Sequence, residues 1–208
     1  MRFLLQLLIV TGILFNTLMS CDNASSCKKP GNIVFVVDGS DRITDEEFIK
    51  MKIFVTNLID NFEITPDATN VGLVVYGPIV GDIISLFPYK NKLLLKTLVY
   101  DLQQPKSGAN AAAGIDAARK MISQLGRKTV PNIMVVISNG RSTNPWTIFQ
   151  ARVAKLNGIK ILAIGFGQDT NVGELNLIAS SPNYVFVMEN VTALANTESV
   201  TRQIICST

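Results

Sequence analysis

The sequence predicts an α/β fold: a doubly wound, mostly parallel central sheet with one antiparallel edge strand and helices on both faces. Short runs of β-branched and other apolar residues recur along the chain, and such runs are typical of strands buried on both faces of a parallel sheet. Amphipathic segments with a helical period separate the runs, so strands and helices alternate. Because parallel strands require crossover connections, this alternation predicts right-handed βαβ units.

The first strand is predicted over 33–37, directly before Asp38. Thr44 and Glu47 then have the spacing of a capping box, which predicts the start of a helix. The apolar residues that follow keep to one helical stripe: Phe48, Met51, Val55, Leu58, Ile59 and Phe62. A second buried strand is predicted over 71–76, and a Gly-Pro turn connects it, in the manner of a hairpin, to a short third strand over 82–87.

The rest of the chain continues the alternation. A helix over 111–125 carries a strip of small residues that would let it lie close to the sheet: Ala111, Ala112, Gly114 and Ala118. Further strands are predicted over 132–138, 159–166 and 184–188, the last at an edge of the sheet. Further helices are predicted over 93–102, 146–156, 172–179 and 192–206.

The amino terminus has the features of a secretory signal peptide over residues 1–20: a positive start, a mostly apolar stretch and a small residue before the cut. Residues 21–30 form a predicted linker with cysteines, and residues 31–206 form the predicted domain. No other segment approaches the length of a membrane span, so the mature chain is expected to be soluble and secreted. The net charge of +3 is too small to predict binding to nucleic acid.

Three cysteines lie outside the periodic core: Cys21, Cys27 and Cys206. In an oxidising compartment, a bridge between Cys27 and Cys206 would join the two ends of the domain. Cys21 would then pair with another chain to give a disulfide-linked homodimer, replace Cys27 in the bridge, or stay free. The sequence alone does not choose among these alternatives.

Asn23 and Asn190 each begin an Asn-X-Ser/Thr sequon, and both are predicted to be glycosylated because the chain is expected to be secreted. Residues 18–21 also resemble a bacterial lipoprotein cleavage box. The two further cysteines and the two sequons favour a eukaryotic secreted chain instead.

The composition argues against catalysis. The chain contains no histidine, which excludes Ser-His-Asp and Cys-His nucleophile systems and histidine metal sites. The candidate acid and base, Asp38 and Asp41, lie three residues apart in one loop, where carboxylates usually cap a helix or interact with its dipole. We therefore predict that the chain is not an enzyme.

Three motifs together carry a family resemblance: Val-Val-Asp38-Gly-Ser40 after the first strand, Val-Val-Ile-Ser-Asn139-Gly-Arg-Ser-Thr later in the chain, and Gly-Ile-Lys-Ile-Leu-Ala-Ile-Gly165 after that. With these motifs and the flanking cysteine pair, residues 31–206 resemble a von Willebrand factor type A domain and are similar to the matrilin and collagen VI members. The resemblance implies a Rossmann-like fold and a secreted extracellular-matrix module that mediates protein–protein or protein–glycan interaction.

The same resemblance implies a metal-ion-dependent adhesion site, built from Asp-X-Ser-X-Ser, a threonine before the third helix and an aspartate after the fourth strand. Asp38 and Ser40 match this pattern. Arg42 stands at the third position, Ala111 or a near neighbour at the threonine position, and Asn139 at the last. Mg²⁺ prefers octahedral oxygen ligands, and a guanidinium adds a repelling charge. We therefore predict a degenerate, non-functional metal site and no cofactor.

Two alternatives stay open at this site. Asp41 could supply a substitute carboxylate and allow weak binding of Mg²⁺ or Ca²⁺. Arg42 could fold back to pair with Asp38 and replace the missing cation, or it could point into water at the start of a helix.

The expected partners are other extracellular-matrix proteins or sulfated glycans. A basic face for glycans could form from Lys92 and Lys96 with the Arg-Lys pairs at 119–120 and 127–128, although separately solvated cations are the simpler interpretation. Trp146 lies near the ligand-binding end of the sheet, either as an interaction residue or as buried support. The competing functions are a metal-dependent adhesion module and a secreted defence, venom or biomineral-associated protein with the same fold.

Overall fold

A computed structural model describes residues 26–208 of the chain. The predicted signal peptide, Cys21 and the sequon at Asn23 lie outside these residues, so they stay predictions, as do the domain boundaries. Within the described range, no helix has both the length and the apolar character needed to cross a membrane.

One sheet contains six strands in the described part of the chain: β1 (Gly31–Asp38), β2 (Thr69–Tyr76), β3 (Val80–Ile84), β4 (Asn132–Ile137), β5 (Ile159–Phe166) and β6 (Val185–Met188). Their order across the sheet is β3-β2-β1-β4-β5-β6. β3 runs antiparallel to β2, and the other pairings are parallel. The predicted fold class is confirmed.

Helices cover both faces of this sheet: α1 (Asp45–Asp60), α2 (Lys92–Asp101), α3 (Ala111–Leu125), α4 (Thr147–Leu156), α5 (Val172–Ile178) and α6 (Glu198–Ser207), with 3₁₀ helices at Pro182–Tyr184 and Val191–Thr197. One layer holds α1, α2 and α6, and the opposite layer holds α3, α4 and α5. The capping box predicted for α1 is present, since Thr44 and Glu47 exchange hydrogen bonds.

β1 is buried along its full length because it lies in the middle of the sheet with a helical layer on each side. Alternate side chains of a strand point to opposite faces. Ile33, Phe35 and Val37 therefore pack with the layer of α1, while Val34 and Val36 pack with the layer of α3.

The parallel register aligns the carboxyl ends of the central strands. Asp38 at the end of β1 lies beside Tyr76 at the end of β2, and Val37 pairs with Ile137 of β4. The loops that follow β1, β4 and β5 meet at this edge of the sheet. We call these loops, residues 39–44, 138–147 and 166–171, the crown.

The strip of small residues on α3 lies against the sheet, as predicted, and all four of its members are buried. A Cβ added at Gly114 would lie 2.8 Å from Cδ1 of Tyr76 and 3.0 Å from Cγ1 of Val36. Only glycine permits such a close approach of the helix to β1 and β2.

Two elements differ from the sequence-based prediction. The third strand is Val80–Ile84 rather than 82–87, because its pairing with β2 begins soon after the turn, at Val80 opposite Tyr76. The last helix is 3₁₀ over Val191–Thr197 and becomes α-helical only afterwards. There the N–H of Ala193 donates to the carbonyl of Asn190 at 3.1 Å, the three-residue backbone spacing of the tighter helix. The other predicted boundaries agree within two residues.

Cys27 and Cys206 form a disulfide between positions 179 residues apart. The N–H of Cys27 also donates to the carbonyl of Asn61 at 2.8 Å, so the segment before β1 is held against the end of α1. Of the pairings left open by the sequence, the structure has Cys27 with Cys206.

Candidate functional site

The centre of the crown is the fully buried carboxylate of Asp38. Its Oδ1 accepts a hydrogen bond from the N–H of Ser40 at 3.0 Å, and its Oδ2 accepts one from the hydroxyl of Ser138 at 2.9 Å. The Ser138 hydroxyl in turn accepts from the N–H of Gly140 at 3.0 Å. One carboxylate thereby joins the loop after β1 to the loop after β4.

Burial raises the pKa of Asp38, because removal from water disfavours the charged form of a carboxylate. The hydrogen bonds from Ser40 and Ser138 act in the opposite direction without outweighing burial. None of the ion pairs among the described residues includes Asp38. The site therefore holds a buried carboxylate that lacks a compensating cation from those residues.

Two more hydroxyls are buried next to this carboxylate. Ser40 Oγ and Tyr76 Oη have no partner in hydrogen-bonding geometry among residues 26–208, although both lie near enough to Asp38 to lower its pKa. Burial, with the Asp38 charge, raises the pKa of Tyr76, so its hydroxyl stays protonated. An unpartnered buried polar group costs about 1–3 kcal/mol, and the Ser40 hydroxyl is the feature that best suits a residual cation.

The other positions of the implied metal site do not supply suitable donors. Ala111 has no side-chain oxygen, and Asn139 Oδ1 already accepts from the N–H of Arg141 at 3.2 Å. Arg42 contributes a positive charge. Within residues 26–208, no three His, Cys, Asp or Glu side chains form a group that could hold a metal. By the chemistry of their donors, these residues do not fit an octahedral divalent cation.

Arg42 does not pair with Asp38, and its side chain is exposed before the start of α1, as the second interpretation expects. Its Nη1 donates to the backbone carbonyl of Arg141 at 2.5 Å, so the side chain crosses to the loop after β4 rather than folding onto Asp38. Arg141 is itself anchored, because its Nε donates to the carbonyl of Asp169 at 2.5 Å. Arg42 and Arg141 both line a pocket of about 500 Å³, which we call the crown pocket.

Ser142 and Glu174 complete the crown on its other side. The N–H of Ser142 donates to Glu174 Oε1 at 3.2 Å, and the Ser142 hydroxyl accepts from the N–H of Ala111 at 3.2 Å. A hydroxyl from the loop after β4 thus lies beside the position where the resemblance implies a threonine. Burial raises the pKa of the half-buried Glu174, and the charge of Asp38 adds to this effect.

These contacts include residues that the sequence analysis missed. Ser138, Arg141 and Ser142 lie within the motif around Asn139, so the strand-end position was a signal that could have identified them. Glu174 has no such signal, because its place depends on how α5 packs against β5.

The basic residues do not gather on one face, which agrees with the simpler interpretation of separate cations. Lys92 and Lys96 lie on α2, whereas Arg119 and Lys120 lie on α3 in the opposite helical layer. Lys96 pairs with a carboxylate on α1 at 2.5 Å, and Arg119 and Lys120 share a carboxylate on their own helix. Arg127 donates to backbone carbonyls. The cations are dispersed because their helices cover different faces of the sheet.

Trp146 is exposed rather than buried as support, with 63% of its surface accessible. Its ring packs edge-to-face against Phe149, with centroids 5.7 Å apart, and Phe149 is itself exposed. The two rings form an aromatic pair where the crown meets α4.

Asn190 is exposed, and its Oδ1 accepts from the N–H of Ala193 at the start of the second 3₁₀ helix. This exposure is compatible with glycosylation, which stays a prediction.

The doubly wound sheet makes this chain an open α/β domain. In domains of this class, ligands bind at the loops beyond the carboxyl ends of the strands. The family model of the von Willebrand factor type A domain matches residues 32–200. The chain belongs to this family.

The chain has matrix proteins among its relatives. Matrilin-2 of Mus musculus is 29% identical over 192 residues, and the collagen alpha-5(VI) chain of Mus musculus is 30% identical over 195 residues. Each alignment covers 88% of this chain, but only 20% of matrilin-2 and 7% of the collagen chain. Because its relatives include matrilins and collagens, the chain is placed among the secreted proteins of the extracellular matrix.

A solved structure has the same fold. Proximal thread matrix protein 1 (PTMP1) from the mussel byssus, with a zinc-occupied MIDAS motif, superposes with a TM-score of 0.80 at 24% identity. The match covers 87% of this chain and 47% of that one. At this identity the likeness supports the fold alone.

Proposed function

We propose that this chain is a non-enzymatic binding module of the extracellular matrix that engages other matrix proteins through its crown, without an obligatory metal bridge. The observation that carries this proposal is the donor set around Asp38. By the family resemblance, Arg42, Ala111 or a near neighbour, and Asn139 stand where the metal site needs two hydroxyls and a carboxylate. A partner at the crown would then meet side chains of this domain rather than a shared cation.

The exposed aromatic pair supports the crown as the contact surface. Trp146 and Phe149 present apolar area beside polar loops, and exposed aromatic residues are enriched among those that contribute most to protein interfaces.

Capture from extracellular-matrix extract tests the proposed function. The full secreted chain is immobilised and incubated with extract in EDTA and, separately, in Mg²⁺. We expect the same proteins to be retained in both conditions. Retention that disappears in EDTA, or calorimetric binding of Mg²⁺ or Mn²⁺ at micromolar concentration, would contradict a metal-free mode of attachment.

Trp146→Ala is expected to weaken this capture about tenfold or more, because truncating an interface aromatic commonly costs more than the ~1.4 kcal/mol that corresponds to one decade of affinity. The matched control is Phe87→Ala, which removes another exposed aromatic ring between β3 and α2, outside the crown. Affinities of the two variants for the captured proteins are compared by surface plasmon resonance. Equal losses in the two variants, or none in either, would remove Trp146 from the contact surface.

A second candidate is metal-dependent adhesion through a residual site. The unpartnered hydroxyl of Ser40 favours it, and the related fold of PTMP1 has been seen with zinc at its MIDAS motif. The same comparison in EDTA and Mg²⁺ separates this candidate from the first. Two earlier predictions stay open: that the chain binds sulfated glycans, and that it forms a homodimer linked by a disulfide through Cys21.

A further inference from the structure

We propose that Arg42 and Arg141 form a clamp that binds a carboxylate side chain of a protein partner directly. The inference rests on the proposed function and specifies the chemistry of the partner. The clamp lies in the crown pocket, beyond the carboxyl ends of β1, β4 and β5, where open α/β sheets bind ligands.

Backbone carbonyls hold both guanidinium groups in place before any ligand arrives. Arg42 uses Nη1 to reach the carbonyl of Arg141, and Arg141 uses Nε to reach the carbonyl of Asp169. A guanidinium has five N–H donors, so donors remain on each group for a ligand. Arg42 is exposed, and the side chain of Arg141 is 48% exposed. Because the side chains are anchored, less conformational entropy is lost when a carboxylate binds.

Two carboxylates of this chain also border the crown pocket, and neither satisfies the clamp. Glu47 accepts two hydrogen bonds from Thr44 in the capping box of α1, at 2.9 and 3.0 Å. The Asp169 carboxylate is 90% exposed and lies 3.4 Å from Nη2 of Arg141, beyond the roughly 2.7–2.9 Å of a strong charge-assisted hydrogen bond. Asp169 is thus a weak internal competitor that a partner's carboxylate would displace.

The distribution of charge favours a protein carboxylate over a sulfated glycan. A glycan presents a row of anions and needs an extended row of cations, but Lys96 and Arg119 lie in opposite helical layers with local partners.

The probe is a fluorescent oligoglutamate peptide, with an oligoglutamine peptide as its neutral counterpart. Binding to the full secreted chain is measured by fluorescence anisotropy in EDTA at low salt. We expect oligoglutamate to bind and oligoglutamine not to bind. Arg42→Gln and Arg141→Gln should each weaken binding about tenfold, because each removes charge-assisted hydrogen bonds. Asp169→Asn should strengthen binding, because it removes the competitor.

Arg152→Gln is the matched control, since it removes the same charge from an exposed arginine on α4 and should leave affinity unchanged. Thermal unfolding verifies that each variant is folded. The clamp is overturned if Arg152→Gln weakens binding as much as the crown variants do, or if binding requires Mg²⁺. It is also overturned if a heparin oligosaccharide binds more tightly than oligoglutamate with the same dependence on Arg42 and Arg141.

Failure of the clamp is distinguishable from failure of the proposed function. If oligoglutamate does not bind while matrix proteins are still captured in EDTA, the clamp is wrong and the proposed function stands. If capture is lost in EDTA while oligoglutamate still binds, the clamp stands and the metal-free mode of matrix attachment is wrong.

Discussion

Replacing both Cys27 and Cys206 with serine is expected to lower the free energy of unfolding by about 4–5 kcal/mol. The disulfide joins positions 179 residues apart, and the loop-closure model assigns a stabilisation of this size to very long loops, because the cross-link restricts the unfolded chain. Guanidinium chloride denaturation of the wild type and the double variant measures the difference. This loss would be a large share of the stability of an ordinary domain.

Cys21→Ser is the control for this measurement, and it should leave the denaturation midpoint unchanged. If Cys21→Ser produced the loss and Cys27→Ser did not, the bridge to Cys206 would come from Cys21. The pairing in the structure would then be wrong.

Asp38→Asn is expected to raise the free energy of unfolding at pH 7 and to reduce its dependence on pH. Burial raises the pKa of Asp38 in the folded chain above its ordinary value of 3.8. The folded chain therefore holds this proton more tightly than the unfolded chain does. Stability should fall as the pH rises from about 4 through the folded-state pKa, and then become level.

One hydrogen bond of Asp38 survives this substitution unchanged, and the other reverses its direction. An asparagine at this position can still accept from the N–H of Ser40 through Oδ1, and its Nδ2 can donate to the hydroxyl of Ser138. That hydroxyl has two lone pairs and already accepts from Gly140. The substitution thus removes the buried charge with little change in shape.

Asp41→Asn is the matched control, because it removes an exposed carboxylate from the same loop and should leave stability nearly unchanged. Denaturation curves for the wild type and both variants between pH 4 and 8 supply the comparison. A lower stability of Asp38→Asn at pH 7 would mean that the charged carboxylate is compensated in the protein. If Mg²⁺ stabilised the wild type but not this variant, Asp38 would be a metal ligand and the second candidate function would gain support.

The layered fold was predictable because each element carries its own local signal. Burial on both faces requires a run of consecutive apolar side chains, which β1 has over residues 33–37, so the strand is visible without knowing its neighbours. The capping box of Thr44 and Glu47 is complete within four residues. The two elements that differ, β3 and the last helix, depend on where pairing or tight helical bonding begins, and local sequence specifies such boundaries poorly.

The contacts of the candidate site were less accessible to sequence analysis. The motif around Asp38 identified the loop, but the second partner of Asp38 and the partner of Arg42 lie about 100 residues away, at Ser138 and Arg141. Two plausible roles for Arg42 followed from its neighbours in the sequence, and the actual contact followed from neither. Glu174 joins the crown only because α5 packs against the sheet.

By itself, the sequence determined the alternation of strands and helices and the position of the crown, and it predicted a loss of oxygen donors at Arg42, at Ala111 or a near neighbour, and at Asn139. Those properties depend on residue type and local order along the chain. Only the tertiary structure decided that Asp38 is buried without a counter-ion among the described residues, that the basic residues are dispersed, and that Arg42 and Arg141 line one pocket. These depend on distances between segments far apart in the chain, which are set when the helices pack on the two faces of the sheet.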